Sequence, residues 1–274
     1  ARGLVKAEDT ARVITEMKFT YPKNAASKSD LAILNIIAAV ANEGWKRPLY
    51  FDAGLRSGDY GGTGEYMHME GLVYRLMPFK YMETQKVNSQ LLGSLNTEKS
   101  YDMFMNKFIW GGSERNDVFF DEPNRHEFVT YRMDAAMLAN QLSADGKKDM
   151  AVNVLDKVMN NISEKSYYYD YTAYFMAAAY YRAGALKKAN DLTAKIIRNA
   201  ETDINWVTSL SEGNRAAMGD DVKQQFQIMQ SLSSTAYQSG DSVTAKQIFE
   251  RMQAIGPRVK DLLNQNQGGG ESEE

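Results

Sequence analysis

Cysteine is absent from the 274 residues, which removes disulfides, thiolate metal sites and cysteine nucleophiles together. The compartment stays open on that ground alone. Histidine is almost as scarce: only His68 and His126 occur, and an imidazole-based metal centre would need further ligands brought in by folding. No metal site and no cofactor are expected. Charge of one sign is also lacking, with 32 basic against 35 acidic residues and a net charge of −3. Without the basic clusters that neutralise phosphates, nucleic acid is not an expected partner. Long hydrophobic runs are missing too. The longest, Leu31 to Ala41, is interrupted by Asn35 and is about half the roughly 20 residues that cross a bilayer, so no membrane span is expected. The start, Ala1-Arg2-Gly3-Leu4-Val5-Lys6, has neither an initiator Met nor the apolar core of a signal peptide and reads as a processed or excised piece.

What is present is an ordinary globular balance, 43% apolar and 24% charged, long enough for a substantial core and an attached segment. A short apolar stretch at Met17 to Phe19 reads as a strand. Ser29 or Asp30 supplies a cap for a helix from about Leu31 to Asn42, which stops near Gly44, because a side-chain oxygen there accepts the free N–H groups of the first turn. Arg47 to Asp52 reads as a buried strand starting at Pro48, and Gly71 to Pro78 as a second strand closed by its proline. Between them, Gly54 to Gly64 is glycine-rich. It carries no G-x-x-x-x-G-K-[ST] pattern and holds Asp59 where an anion would sit, so a surface loop is the better reading.

Beyond residue 97 the period becomes helical. Tyr101 to Phe108 is amphipathic, Trp110-Gly111-Gly112 breaks it, Asp117 to Asn124 reads as loop or short strand, and helix resumes near Arg125. Three segments then share a pattern: Ala139, Leu142, Gly146, Ala151, Leu155 and Val158; Ala177, Tyr180, Gly184, Ala189, Thr193 and Ile196; Ser233, Ala236, Gly240, Ala245, Phe249, Met252 and Pro257. In each, an alanine follows the glycine by five positions. Small residues let two antiparallel helices approach, the glycine takes the positive φ that ends the first, and the alanine seats the second. The pattern resembles the tetratricopeptide repeat. The glycines are 38 and then 56 residues apart rather than about 34, which marks 199–222 as an insertion. The fold class expected is mostly α, a tetratricopeptide-like α-α superhelix preceded by a small α/β segment: residues 1–97 α/β, 98–265 helical repeats, and 266–274 a disordered acidic tail.

Four strings in the first half carry a more specific likeness: Ser29-Asp30-Leu31-Ala32-Ile33-Leu34, Trp45 to Phe51, Glu70 to Pro78 and Met105 to Gly111. Together they resemble the C-terminal region of a Bacteroidetes-type family of multi-spanning membrane proteins of unknown function, themselves similar to protein O-mannosyltransferases. That resemblance implies an extracytoplasmic, periplasmic domain following a membrane-embedded glycosyltransferase-like half. It also implies that the catalytic acids and the sugar-donor site belong to the membrane half, so the fragment itself is not expected to be an enzyme.

The candidate binding residues come from the repeat frame, in which Tyr171, Tyr174, Tyr181 and Arg182 of the second repeat line a concave groove with Asn140 of the first and Gln230 and Tyr237 of the third. Tyrosine offers rigid contact area with a polar tip; the same rings also suit packing between repeats. The function expected is a non-catalytic binding or scaffolding domain whose partner is a protein, a glycan or the membrane-embedded half of the same polypeptide. Two alternatives stand beside it: a carbohydrate-active enzyme using loop carboxylates such as Asp117 with Asp121 or Glu122, and a structural lid on the membrane half.

Overall fold

A computed structural model describes residues 5, 7–53, 60–80, 91–115 and 117–268. The chain divides into two compact units, Ala1–Ile109 and Trp110–Glu274. That division falls after Ile109, whereas the change of period in the sequence comes near residue 97, where helix α2 (Thr97–Asp102) begins.

In the first unit, helix α1 (Lys28–Asn42) opens with a reciprocal capping box. The Ser27 side chain accepts the N–H of Asp30 at 3.2 Å, and the Asp30 carboxylate accepts the N–H of Ser27 at 2.8 Å. The cap is therefore Ser27 rather than Ser29 or Asp30, because the box needs its acid three positions into the helix. Four short strands follow: β1 (Tyr50–Asp52), β2 (Met67–Glu70), β3 (Val73–Leu76) and β4 (Ser94–Leu95). They form one sheet in the order β1-β3-β2-β4, with β2 and β3 an antiparallel hairpin and β4 parallel to β2. The hairpin turns at Gly71, whose φ is 69° and whose missing side chain leaves room for the ring of Phe108. Tyr60, Tyr66, Met67, Met69, Leu76, Phe79 and Phe104 form the core beneath the sheet.

The strand expected at Met17 to Phe19 does not form. The N–H of Lys18 instead donates to the Tyr66 hydroxyl at 3.1 Å, which donates back to the Lys18 carbonyl at 2.8 Å. One buried phenol thus satisfies backbone groups that a ladder partner would otherwise take. A Cβ on Gly62 would lie 2.0 Å from the Thr20 carbonyl oxygen, so that close approach depends on glycine. Of the glycine-rich loop, residues 54–59 lie outside the described residues.

The second unit is helical: α3 (Glu122–Ala144), α4 (Lys148–Asn161), α5 (Tyr171–Ala183), α6 (Leu186–Ser209), α7 (Glu212–Ala217), α8 (Gly219–Gln238) and α9 (Ser242–Gly268). The three expected hairpins are α3–α4, α5–α6 and α8–α9, and their glycines adopt φ of 77°, 79° and 85° at Gly146, Gly184 and Gly240. Each turn closes in the same way. The N–H after the glycine reaches the carbonyl five residues back: Lys147 to Leu142 at 2.8 Å, Ala185 to Tyr180 at 3.0 Å and Asp241 to Ala236 at 2.9 Å. Ala139, Ala151, Ala177 and Ala189 are fully buried, and the Ser233 hydroxyl donates to the Ala245 carbonyl at 3.0 Å. Within this unit α5 packs on α3, α4, α6 and α8, while α8 packs on α5, α6 and α9. That is a helical-repeat stack.

The insertion consists of a longer second helix, 24 residues in α6 against 14 in α4, followed by α7. Two details differ from expectation. Pro257 does not end its helix, since α9 continues to Gly268. The first three residues of the expected tail, 266–268, are therefore helical, and 269–274 lie outside the described residues. Helix α3 starts at Glu122 with Asp121 as its cap and Pro123 in its first turn, so the tail end of the expected loop is already helix.

Candidate functional site

The first element of the site is a buried cation. Arg132 on α3 is inaccessible to solvent and donates to four uncharged acceptors in the α4–α5 connection and the start of α5. These are the carbonyls of Ile162 (3.3 Å), Tyr167 (2.7 Å) and Tyr168 (2.9 Å) and the hydroxyl of Thr172 (3.3 Å). Its guanidinium lies 5.0 and 5.1 Å from the ring centroids of Tyr167 and Tyr169. Burial pulls its pKa down, against the pull of Asp170 in the other direction. Delocalised charge and a planar face let a guanidinium tolerate such a place. Arg132 thereby fixes the tyrosine-rich segment that precedes α5.

That segment does not present a continuous tyrosine groove. Tyr167 and Tyr169 stack on Arg132, and the Tyr180 hydroxyl donates to Asp156 at 2.8 Å. Tyr171 and Arg182 are exposed on α5, while Tyr174 is half-buried with its ring against Phe175. Asn140 is half-buried on α3. Tyr181 is a correction: it is 3% exposed, with its hydroxyl donating to Asn190 at 2.6 Å. Asn190 in turn donates to Asp241 at 2.7 Å, so this side chain joins the second repeat to the third and offers no surface to a partner.

Gln230 and Tyr237 do come together. With Ser233, Ala245, Phe249 and Met252 they line an apolar groove of about 530 Å3 between α8 and α9. Its two rims are aromatic, Tyr237 being 70% and Phe249 54% exposed. Phe249 stands nine residues after its turn glycine, as do Leu155 and Thr193 in the other two hairpins, and those are 0% and 1% exposed. In the interior hairpins the next repeat's first helix packs on the second helix, α5 on α4 and α8 on α6. In the third hairpin α9 packs on α6, α7 and α8, and the Phe249 ring stays in solvent. Sequence pattern places Tyr237 and Gln230 on the expected groove and Phe249 among the repeat-pattern positions, without marking it as exposed.

A second cleft, about 250 Å3, lies between α6 and the start of α8 and is lined in part by Asp203, Trp206, Met218, Asp221 and Gln225. Asp203 accepts from the Tyr168 hydroxyl at 3.1 and 3.2 Å and from the Gln225 amide at 3.1 Å. Burial raises its pKa and the Tyr168 bond partly offsets that.

The loop carboxylates have structural partners. Asp117 pairs with Arg115 at 2.6 Å, and Asp121 accepts the N–H of Asn124 at 3.1 Å; both pKa values are lowered, chiefly by those bonds. In the first unit Glu70, almost fully buried, accepts from Lys99, Arg75 and Tyr50, and His68 meets the Ser94 hydroxyl at 2.5 Å across the parallel β2–β4 pair.

Residues 1–99 match the family model for TMEM260-associated domain 2. The match lies within the first compact unit and leaves the helical repeats uncovered. It points to a domain associated with a membrane protein. No curated protein and no solved structure is detectably similar to this chain. No helix among the described residues is long and apolar enough to cross a membrane.

Proposed function

We propose that the chain is a non-catalytic binding domain of a membrane protein, and that its α8–α9 face docks an amphipathic helix of a protein partner. The observation that carries this is the open register position: Phe249 is exposed where Leu155 and Thr193 are buried. Inside the chain the second helix of each earlier hairpin carries the first helix of the next repeat, α5 on α4 and α8 on α6. These helices bury small and medium apolar side chains, Ala173, Met176 and Ala177 in one, Met229, Leu232 and Ala236 in the other. A partner helix with such a face fits the same groove, and Tyr237 and Phe249 serve as anchors.

The resemblance to membrane glycosyltransferase-like proteins of the Bacteroidetes type and the match over residues 1–99 support an extracytoplasmic, periplasmic placement beside a membrane-embedded half. Lowered pKa values at Asp117 and Asp121 favour binding over glycoside hydrolysis, whose general acid needs a raised one.

A fluorescent peptide with the sequence of α5, Tyr171–Ala183, titrated into the intact chain tests the docking face. Saturable binding, weakened about tenfold or more by Phe249→Ala or Tyr237→Ala, is the expected result. A concentration-dependent dimer that ignores the peptide would transfer the face to a second copy of the chain. A monomer that does not bind the peptide would end the proposal.

A further inference from the structure

The helix-docking face leaves the α6–α8 cleft unused, and the chemistry of that cleft is different. It is lined by the stretch of α6 that runs beyond the 14-residue length of α4 and by the start of α8. Asp203 and Trp206 lie three positions apart on α6, and Asp221 and Gln225 four apart on α8, so each pair shares a helix face. These faces meet in the cleft.

Two carboxylates line it, with no lysine or arginine among its described lining residues. The donors that Asp203 receives, a phenol and an amide, are both neutral. Its carboxylate is half-buried and pairs with no cation among the described residues, an arrangement that an incoming cation would compensate. The Trp206 ring is exposed at the same place. A guanidinium satisfies all of these features at once. It gives a carboxylate two parallel N–H bonds, stacks its planar face on an indole, and sheds water more readily than an ammonium. A cavity of about 250 Å3 accommodates the head group and part of its aliphatic stem.

We infer that this cleft binds the guanidinium of arginine, either as a free small molecule or as a side chain of a peptide, through Asp203, Asp221 and the face of Trp206. The inference does not depend on the α8–α9 docking face, and its test uses other residues.

Nα-acetylarginine amide and an acetyl-Gly-Arg-Gly-amide peptide are titrated into the intact chain by calorimetry, with the citrulline analogue of the first as a neutral isostere. Saturable binding that declines with added salt is expected, together with no binding of the citrulline analogue. Asp203→Asn and Asp221→Asn should each weaken it about tenfold, and Trp206→Leu should weaken it further. Asp221 and Trp206 are solvent-exposed, so these two variants keep the test valid if Asp203→Asn disturbs folding. Binding of both probes assigns the site to the guanidinium alone. Binding of the peptide alone, with the same losses, assigns it to an arginine side chain in a protein. Equal binding of the citrulline analogue, or saturation by neither arginine probe, would overturn the inference. Asp221→Asn should leave α5-peptide binding unchanged, so the two readings fail separately.

Discussion

The α5–α6 and α8–α9 hairpins share one turn geometry and one scheme of small-residue packing, but corresponding positions meet different surroundings. Tyr181 and Tyr237 each stand three residues before the turn glycine, and Thr193 and Phe249 each stand nine after it. The first of each pair is 3% and 1% exposed, the second 70% and 54%. Local sequence therefore sets the hairpin, and position in the stack sets what its faces do. In a repeat array each unit is stabilised by its neighbours, and an end unit with an apolar, aromatic face is either capped or used.

The sharpest way to break this comparison is truncation at one register position in two hairpins. Leu155→Ala opens a cavity in the helical core and should cost roughly 3 kcal/mol. Phe249→Ala, already half in solvent, should cost less than about 1 kcal/mol. Urea unfolding followed by circular dichroism measures both. Equal losses would mean that the α8–α9 face is covered in solution.

A somewhat smaller effect is expected at Arg132. Arg132→Met keeps an unbranched stem but takes the donor from the carbonyls of Ile162 and Tyr167, while the Tyr168 carbonyl keeps the N–H of Asp170 at 3.1 Å. Unpaired buried acceptors and a lost desolvated cation push in opposite directions. With two carbonyls left without that donor the net should be destabilising by roughly 2 kcal/mol. Hydrogen exchange should speed up first in the α4–α5 connection. A neutral or stabilising result would show that the desolvation of the guanidinium outweighs its four bonds.

How much of this was legible in the sequence differs between the two units. The glycine-to-alanine spacing specified all three helical hairpins, because turn and seat are local and repeat three times. The 56-residue gap located the insertion. In the first unit only the longer apolar runs were legible. β2 is Met-His-Met-Glu, without the β-branched residues that mark strands. The Met17 to Phe19 segment has the composition of a strand but gives its backbone bonds to the Tyr66 hydroxyl, a contact 48 positions away. Of the expected groove residues, Gln230 and Tyr237 lie along the α8–α9 groove, whereas Tyr181 is buried, with partners, Asn190 and through it Asp241, that lie in the following elements. The α6–α8 cleft had no motif to announce it, since its lining lies in the insertion and the start of α8, outside the repeated positions.

Removing one hydroxyl sharpens the same contrast at lower cost. Tyr181→Phe should lose about 1 kcal/mol, because the half-buried Asn190 loses its donor. Tyr237→Phe should be neutral within about 0.5 kcal/mol. A neutral Tyr181→Phe would mean that ring packing alone joins the second repeat to the third.

The turn glycines should abolish the contrast. Gly184 and Gly240 have φ of 79° and 85°, and a Cβ at either would meet nothing within 4 Å. Neither alanine variant therefore clashes, and both pay only for the left-handed backbone, about 1 kcal/mol. The interior and terminal hairpins should lose the same amount in matched urea titrations. A distinctly larger loss at Gly184 would show that the turn is held by its neighbours as well as by its own backbone, and would extend to the turns the positional dependence that the faces already display.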